Sequence, residues 1–237
     1  MGMTTAPALS RYADLPALIG LMEGDEKHSS AAHSTLDVVW VLYDRVLAVT
    51  PATAEDPARD RFLLSKGHGP AAFYAVLAAK GFVDVSALRG WTAFDSRLGH
   101  HPDRVLVPGA EIGSGSLGHG LPLGLGSALG LRAQGVRRPD GSVPRVVVLI
   151  GDGELDEGSN HEAVAVAGRL GADNLTVVVV DNASSSHGWP GGIGARFATE
   201  GWAAREVPGR DHDALHEALT RPHTGRPLVV VARVRTS

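Results

Sequence analysis

The chain contains no cysteine. That excludes a disulfide framework, a thiolate metal centre and a cysteine nucleophile. No apolar run approaches the length of a membrane span, so no membrane partner is expected. A formal charge of −4 gives no reason to expect nucleic-acid binding. The N-terminal stretch MGMTTAPALSRYADL has no basic region followed by an apolar core, so no signal peptide is read there. Internal repeats and low-complexity segments are also missing. These absences favour the cytoplasm. What remains is an ordinary globular composition, 43% hydrophobic over 237 residues. That length suits one large α/β domain or two small ones. We read residues 1–14 as a flexible tail and 15–237 as a single domain.

The most informative stretch runs from Arg145 to Gly188. An apolar strand pattern, Val146 to Ile150, stops at Gly151-Asp152-Gly153. A helix pattern follows, with Ala163, Ala167 and Leu170 on one face. A second β-branched run, Thr176 to Val180, ends at Asp181-Asn182. This spacing predicts a βαβ unit with a parallel sheet. Ligands collect beyond the carboxyl ends of such strands, which is where Asp152 and Asn182 fall. A carboxylate and an amide oxygen are hard donors, suited to Mg²⁺, with Ca²⁺ as the alternative ion. Protein-bound Mg²⁺ usually completes its shell with water and phosphate oxygens. Gly151 and Gly153 would let backbone approach those phosphates, and a helix starting near Gly158 would add its positive dipole end. The plainer alternative is a turn in which Asp152 caps a helix.

Elsewhere the pattern predicts helices over Leu15–Met22, Thr35–Val49, Ala71–Lys80, Val85–Trp91, Leu117–Gln134 and Asp213–Leu219. Short strands are expected at Arg61–Leu64, around Trp202–Val207 and at Leu228–Val234. Gly24 to Ser30, Leu98 to Gly115 and the glycine-rich stretch Trp189 to Gly194 read as loops. The small residues of Leu117–Gln134 would permit close packing. The sum is an α/β fold, a doubly wound, mostly parallel sheet with helices on both faces.

GDGELDEGSNHEA and LTVVVVDNASSSHG resemble the two metal- and diphosphate-binding segments of thiamine-diphosphate enzymes, the transketolase branch in particular. The resemblance implies Asp152, Asn182 and the backbone carbonyl of Ser184 as Mg²⁺ ligands. It places Gly153, Glu154 and Asn182 against thiamine diphosphate. Four further stretches match in the same order. SKGHG implies that His68 touches the diphosphate. LGHHPD implies that His101, or its neighbour His100, contacts substrate. GSGSLGHG places Gly115 and Leu117 near the aminopyrimidine, with His119 where the family usually has Gln. EKHSSAAHSTLD puts His28 on the proton-transfer histidine. Histidine suits such roles because its ordinary pKa lies near neutrality. Glu157 and Glu162 match carboxylates that the family places near a subunit interface, although both would also complement a helix N-terminus. His212, His216 and His223 read as surface residues.

The sequence also departs from the pattern. Ser-Ser-Ala-Ala follows His28, where Gly and Pro are usual. Ser186-His187-Gly188 replaces the family's Ile-Asp-Gly, so that Asp is missing. The family continues past VVVARVRTS into a Lys- and Gly-rich segment, and its pyrimidine-binding domain supplies the glutamate that activates the cofactor. The resemblance therefore implies the diphosphate-binding subunit of a split transketolase, joined in a heterotetramer with a separate pyrimidine-binding subunit. The implied activity is transfer of a two-carbon ketol fragment from a ketose to an aldehyde. Two alternatives stay open: a decarboxylating carboligase with a pyruvate-type donor, resembling deoxyxylulose-phosphate synthase or an acyloin-forming enzyme, and a non-catalytic partner subunit. A nicotinamide-binding Rossmann domain is disfavoured, because no G-x-G-x-x-G lies between strand and helix.

Overall fold

The computed structural model describes residues 11–22 and 29–234. Five strands form one all-parallel sheet: β1 (Arg61–Leu64), β2 (Val146–Gly151), β3 (Leu175–Asp181), β4 (Ala203–Pro208) and β5 (Leu228–Arg233). Their order across the sheet is β1-β2-β3-β5-β4. The helices are α1 (Leu15–Ile19), α2 (Ser29–Val41), α3 (Pro70–Ala79), α4 (Gly120–Ala133), α5 (Gly158–Arg169), α6 (Ile193–Thr199) and α7 (His212–Thr220).

The continuous β-branched runs have a direct cause. Strands β2, β3 and β5 are covered on both faces, so neither face selects polar residues. Val147, Leu149, Val178 and Val180 point into a core shared with α1, α2, α3 and α7. Val146, Val148, Val177 and Val179 point into the opposite core, with α4, α5 and α6. This alternation is the two-residue period of a strand, and it gives the doubly wound architecture read from sequence. Strand β4 is an edge and alternates half-buried with exposed residues.

Local differences from the sequence reading have physical reasons. Helix α2 already includes Ser29, and it runs into a wider π turn over Leu42–Val46 before the chain leaves as extended backbone at Leu47. Helix α4 starts at Gly120 rather than Leu117, because Gly118 takes a left-handed φ of +82° that no helix continues through. Helix α6 emerges from the glycine-rich stretch read as loop. Gly191 and Gly192, at φ +78° and +89°, turn the chain into its seven residues. Residues 12–14, assigned to a flexible tail, form a 3₁₀ turn whose Tyr12 ring meets Trp40 edge-on. His212, read as a surface residue, is half-buried. Its Nε2 lies 2.8 Å from Asp37 Oδ1, and its ring meets Tyr12 edge-on.

Among the described residues, no helix is long and apolar enough to cross a membrane.

Candidate cofactor-binding site

Three adjacent strands deliver their carboxyl ends to one place. The loop after β1 carries Ser65-Lys66-Gly67-His68, β2 ends in Gly151-Asp152-Gly153, and β3 ends in Asp181-Asn182. The register pairs Leu64 with Leu149 and Gly151 with Val180, so the three loops leave the sheet side by side. Between them and Leu117 lies a cleft of about 240 Å³, lined by Lys66, His68, Gly153, Glu154, Asn182 and Ser184 among others.

Asp152 is buried at 1% exposure. It does not cap a helix with its side chain. Instead its carboxylate reaches across to the loop after β3. Oδ2 accepts from the Ser184 and Ser185 amides at 2.6 and 3.0 Å, and Oδ1 accepts from Ser184 Oγ at 2.7 Å. Ala183, at φ +60°, makes the turn that brings these amides round. Gly153 lies against the same loop; a Cβ there would sit 3.5 Å from the Ser184 carbonyl oxygen. Asn182 Oδ1 is buried and has no hydrogen-bond partner. Asn160 and Asn174 Oδ1 are also buried without a partner, but of the three only Asn182 lines the cleft; such an acceptor costs about 1–3 kcal/mol. A hard cation held by Asp152, Asn182 Oδ1 and the Ser184 carbonyl would satisfy that acceptor, so the residues present fit Mg²⁺.

Glu154 lines the cleft, but its carboxylate is built into the wall. Ser65 Oγ and the Gly118 amide donate to Oε1, the latter at 3.1 Å, and the Gly151 amide donates to Oε2 at 3.4 Å. Burial pushes its pKa up, while these donors and Lys66 oppose the shift. Glu154 thus ties the turn after β2 to the loop before α4.

The sequence reading missed Lys66. It is only 7% exposed, and its ammonium donates a long 3.5 Å bond to the His68 carbonyl. Burial lowers its pKa to about 8, against the pull of Asp152 and Glu154. From pH 8 to the ordinary lysine value of 10.5, the unfolded chain keeps a proton that the folded chain has released. This group therefore makes stability rise with pH across that window, and its burial cost is fully present below it. Between pH 7.5 and 9.5, wild type should gain about 1–2 kcal/mol relative to Lys66→Met. Urea midpoints at both pH values check this, and parallel profiles for the two proteins would contradict it.

His68 is exposed at the mouth of the cleft. Leu117 stands opposite, 42% exposed, with a methyl group 3.3 Å from where a Gly67 Cβ would be. The His101 ring lies over Gly115, where a Cβ would meet its ring carbons at 2.8 Å; Gly115 takes φ +109° to make room. His100 packs edge-on against Trp91. Glu157 and Glu162 are exposed, at the N-cap and on the outer face of α5. His28 lies outside the described residues.

The family model described as "Transketolase, thiamine diphosphate binding domain" matches residues 20–236. The chain belongs to the transketolase family. It is that family's thiamine-diphosphate-binding domain, in agreement with the motifs. It is 34% identical to a protein of Actinobacillus succinogenes named as one subunit of an apulose-4-phosphate transketolase, over 86% of this chain and 75% of that protein. It is 55% identical to a Rhodococcoides fascians protein named Ferredoxin fas2, over 98% of this chain and 75% of that one. A chain without cysteine offers no thiolates for an iron–sulfur cluster, so that name describes nothing this transketolase domain carries. Among solved structures, a transketolase from Pichia stipitis superposes with a TM-score of 0.79 at 27% identity, covering 96% of this chain. The chain spans 36% of that transketolase's length.

Proposed function

We propose that this chain is the diphosphate-binding subunit of a thiamine-diphosphate- and Mg²⁺-dependent transketolase-like enzyme. It would work with a separate pyrimidine-binding subunit, two of each, in the cytoplasm. The observation that carries the reading is the cleft at the ends of β1, β2 and β3. Asn182, whose buried amide oxygen has no partner, Ser184 and the buried Lys66 line it, and Asp152 is buried directly behind, holding the Ser184 loop. The Actinobacillus relative, named as one subunit of its transketolase, supports the two-chain arrangement.

In this reading Asp152, Asn182 and the Ser184 carbonyl hold the metal, and His68 and Lys66 face the diphosphate. The Gly115 backbone and Leu117 border the ring. His101, placed over Gly115, is the better candidate of the histidine pair for substrate contact, since His100 is turned onto Trp91. His28 would move protons at the substrate hydroxyl. The bound cofactor supplies the electron sink for breaking a carbon–carbon bond beside a carbonyl. The chain's own residues bind, orient and exchange protons. The reaction is transfer of a two-carbon ketol group from a ketose to an aldehyde.

Calorimetric titration of thiamine diphosphate, with and without Mg²⁺, into the chain co-purified with its pyrimidine-binding partner tests this. One Mg²⁺-dependent site per chain is expected, followed by turnover of a ketose donor without CO₂ release. CO₂ release from a 2-oxo acid would favour the decarboxylating carboligase. A folded complex that binds no cofactor would overturn the catalytic reading in favour of a non-catalytic subunit.

A further inference from the structure

Resting on that reading, we propose that Asp156 is a positioning residue for the metal-binding loop. The turn after β2 is a single 3₁₀ turn, Gly153–Asp156. Asp152 precedes it and Asp156 ends it, and both carboxylates reach the same loop at consecutive residues. Asp152 takes the Ser184 amide and hydroxyl and the Ser185 amide. Asp156 Oδ2 takes the Ser186 amide at 3.2 Å, while its Oδ1 lies 3.3 Å from Ser185 Oγ, whose single proton goes to the His187 carbonyl at 2.7 Å.

The loop needs a second anchor for two reasons. Ala183 sits in the left-handed region, which is costly for a residue with a Cβ and persists only where its surroundings enforce it. Asp152, moreover, cannot serve as an undivided clamp. When it gives an oxygen to a cation, its hold on the Ser184 and Ser185 amides is shared with the metal. The Ser186 amide bond to Asp156 is independent of that exchange. It fixes the peptide that follows the Ser184 carbonyl and so limits the directions that carbonyl can take. Residues 182–188 carry no carboxylate of their own. Asp156 delivers one from the neighbouring turn. Its part here is to hold the loop, not to bind the cation.

Two variants test the proposal in the full chain with its partner subunit, using Mn²⁺ titration followed by electron paramagnetic resonance in the presence of thiamine diphosphate. Asp156→Ala should weaken Mn²⁺ binding by about 10–100-fold, the range for residues that orient metal ligands. Asp156→Asn keeps an acceptor for the Ser186 amide and should recover most of that loss. Amide exchange at residues 184–186, measured without metal or cofactor, should speed up in Asp156→Ala and stay near wild type in Asp156→Asn. Unchanged Mn²⁺ affinity in Asp156→Ala would overturn the proposal. So would equal losses in the two variants, which would assign the effect to charge alone. Failure of wild type to bind Mn²⁺ would overturn the cofactor reading as well, whereas unchanged exchange beside normal wild-type binding sinks only the role of Asp156.

Discussion

Replacing Asp152 by Ala should abolish Mg²⁺-dependent binding of thiamine diphosphate, weakening it on the order of 100-fold or more. Groups that merely orient metal ligands are worth about 10–100-fold, and Asp152 would be a ligand and an orienting group at once. The first loss is the anionic oxygen offered to the cation. The second is the acceptor for the Ser184 amide and hydroxyl and for the Ser185 amide, so the loop bearing the carbonyl ligand loses its main tether. Asp152→Asn separates the two. It preserves shape, but its NH₂ group meets donors where Oδ2 or Oδ1 accepted, so at least one serine donor loses its partner. Asn should therefore recover little of the affinity. Calorimetry of both variants beside wild type, at saturating and at zero Mg²⁺, reads the effect. Affinity within threefold of wild type in Asp152→Ala would place the metal elsewhere and remove the central residue of the site.

Much of this site is legible in the sequence because parallel sheets concentrate function at strand ends. Val146–Ile150 and Thr176–Val180 announce buried strands through unbroken β-branched runs, so Asp152 and Asn182 can be assigned to adjacent ends from the sequence alone. The glycine spacing of α4 likewise announces close packing. What stays hidden depends on contacts far apart in sequence. Nothing local marks Lys66 as buried; its stem packs beside Gly151 at the end of β2, and Asp152 and Glu154 act on its ammonium. Glu154 reads as a residue beside the cofactor, yet its carboxylate is captured by Ser65 and Gly118, 89 and 36 residues away along the chain. His212 reads as exposed because its partner Asp37 lies 175 residues away. Asp156 looks like one more acid at a helix start, since its bond to the Ser186 amide exists only once β2 and β3 are neighbours.

Gly120→Ala should cost about 3 kcal/mol or more of folding stability, and cofactor binding with it. Gly120 begins α4 at the point where that helix touches the loop after β1. A Cβ there would lie 2.2 Å from Ser65 Cβ and 2.3 Å from Ser65 Oγ, distances no real Cβ tolerates. The contact is against a buried residue whose Cα is 3.2 Å away, so rotation of the serine cannot relieve it. Overpacking of this kind costs about 1–3 kcal/mol. Displacing Ser65 adds a second cost. Ser65 Oγ accepts from the Gly120 amide at 3.1 Å and donates to the Glu154 carboxylate, so the clash breaks a bond to a buried acid. A buried polar group left without its partner costs about 1–3 kcal/mol more. Gly126→Ala on the same helix is the control. No atom lies within 4 Å of its Cβ position, so helix propensity should leave it neutral or stabilise it by about 0.5–1 kcal/mol. Urea midpoints for the two variants should move in opposite directions. Similar midpoints would mean that α4 shifts freely against β1, in which case the wall shared by Ser65, Gly118 and Glu154 does not hold the cleft in shape.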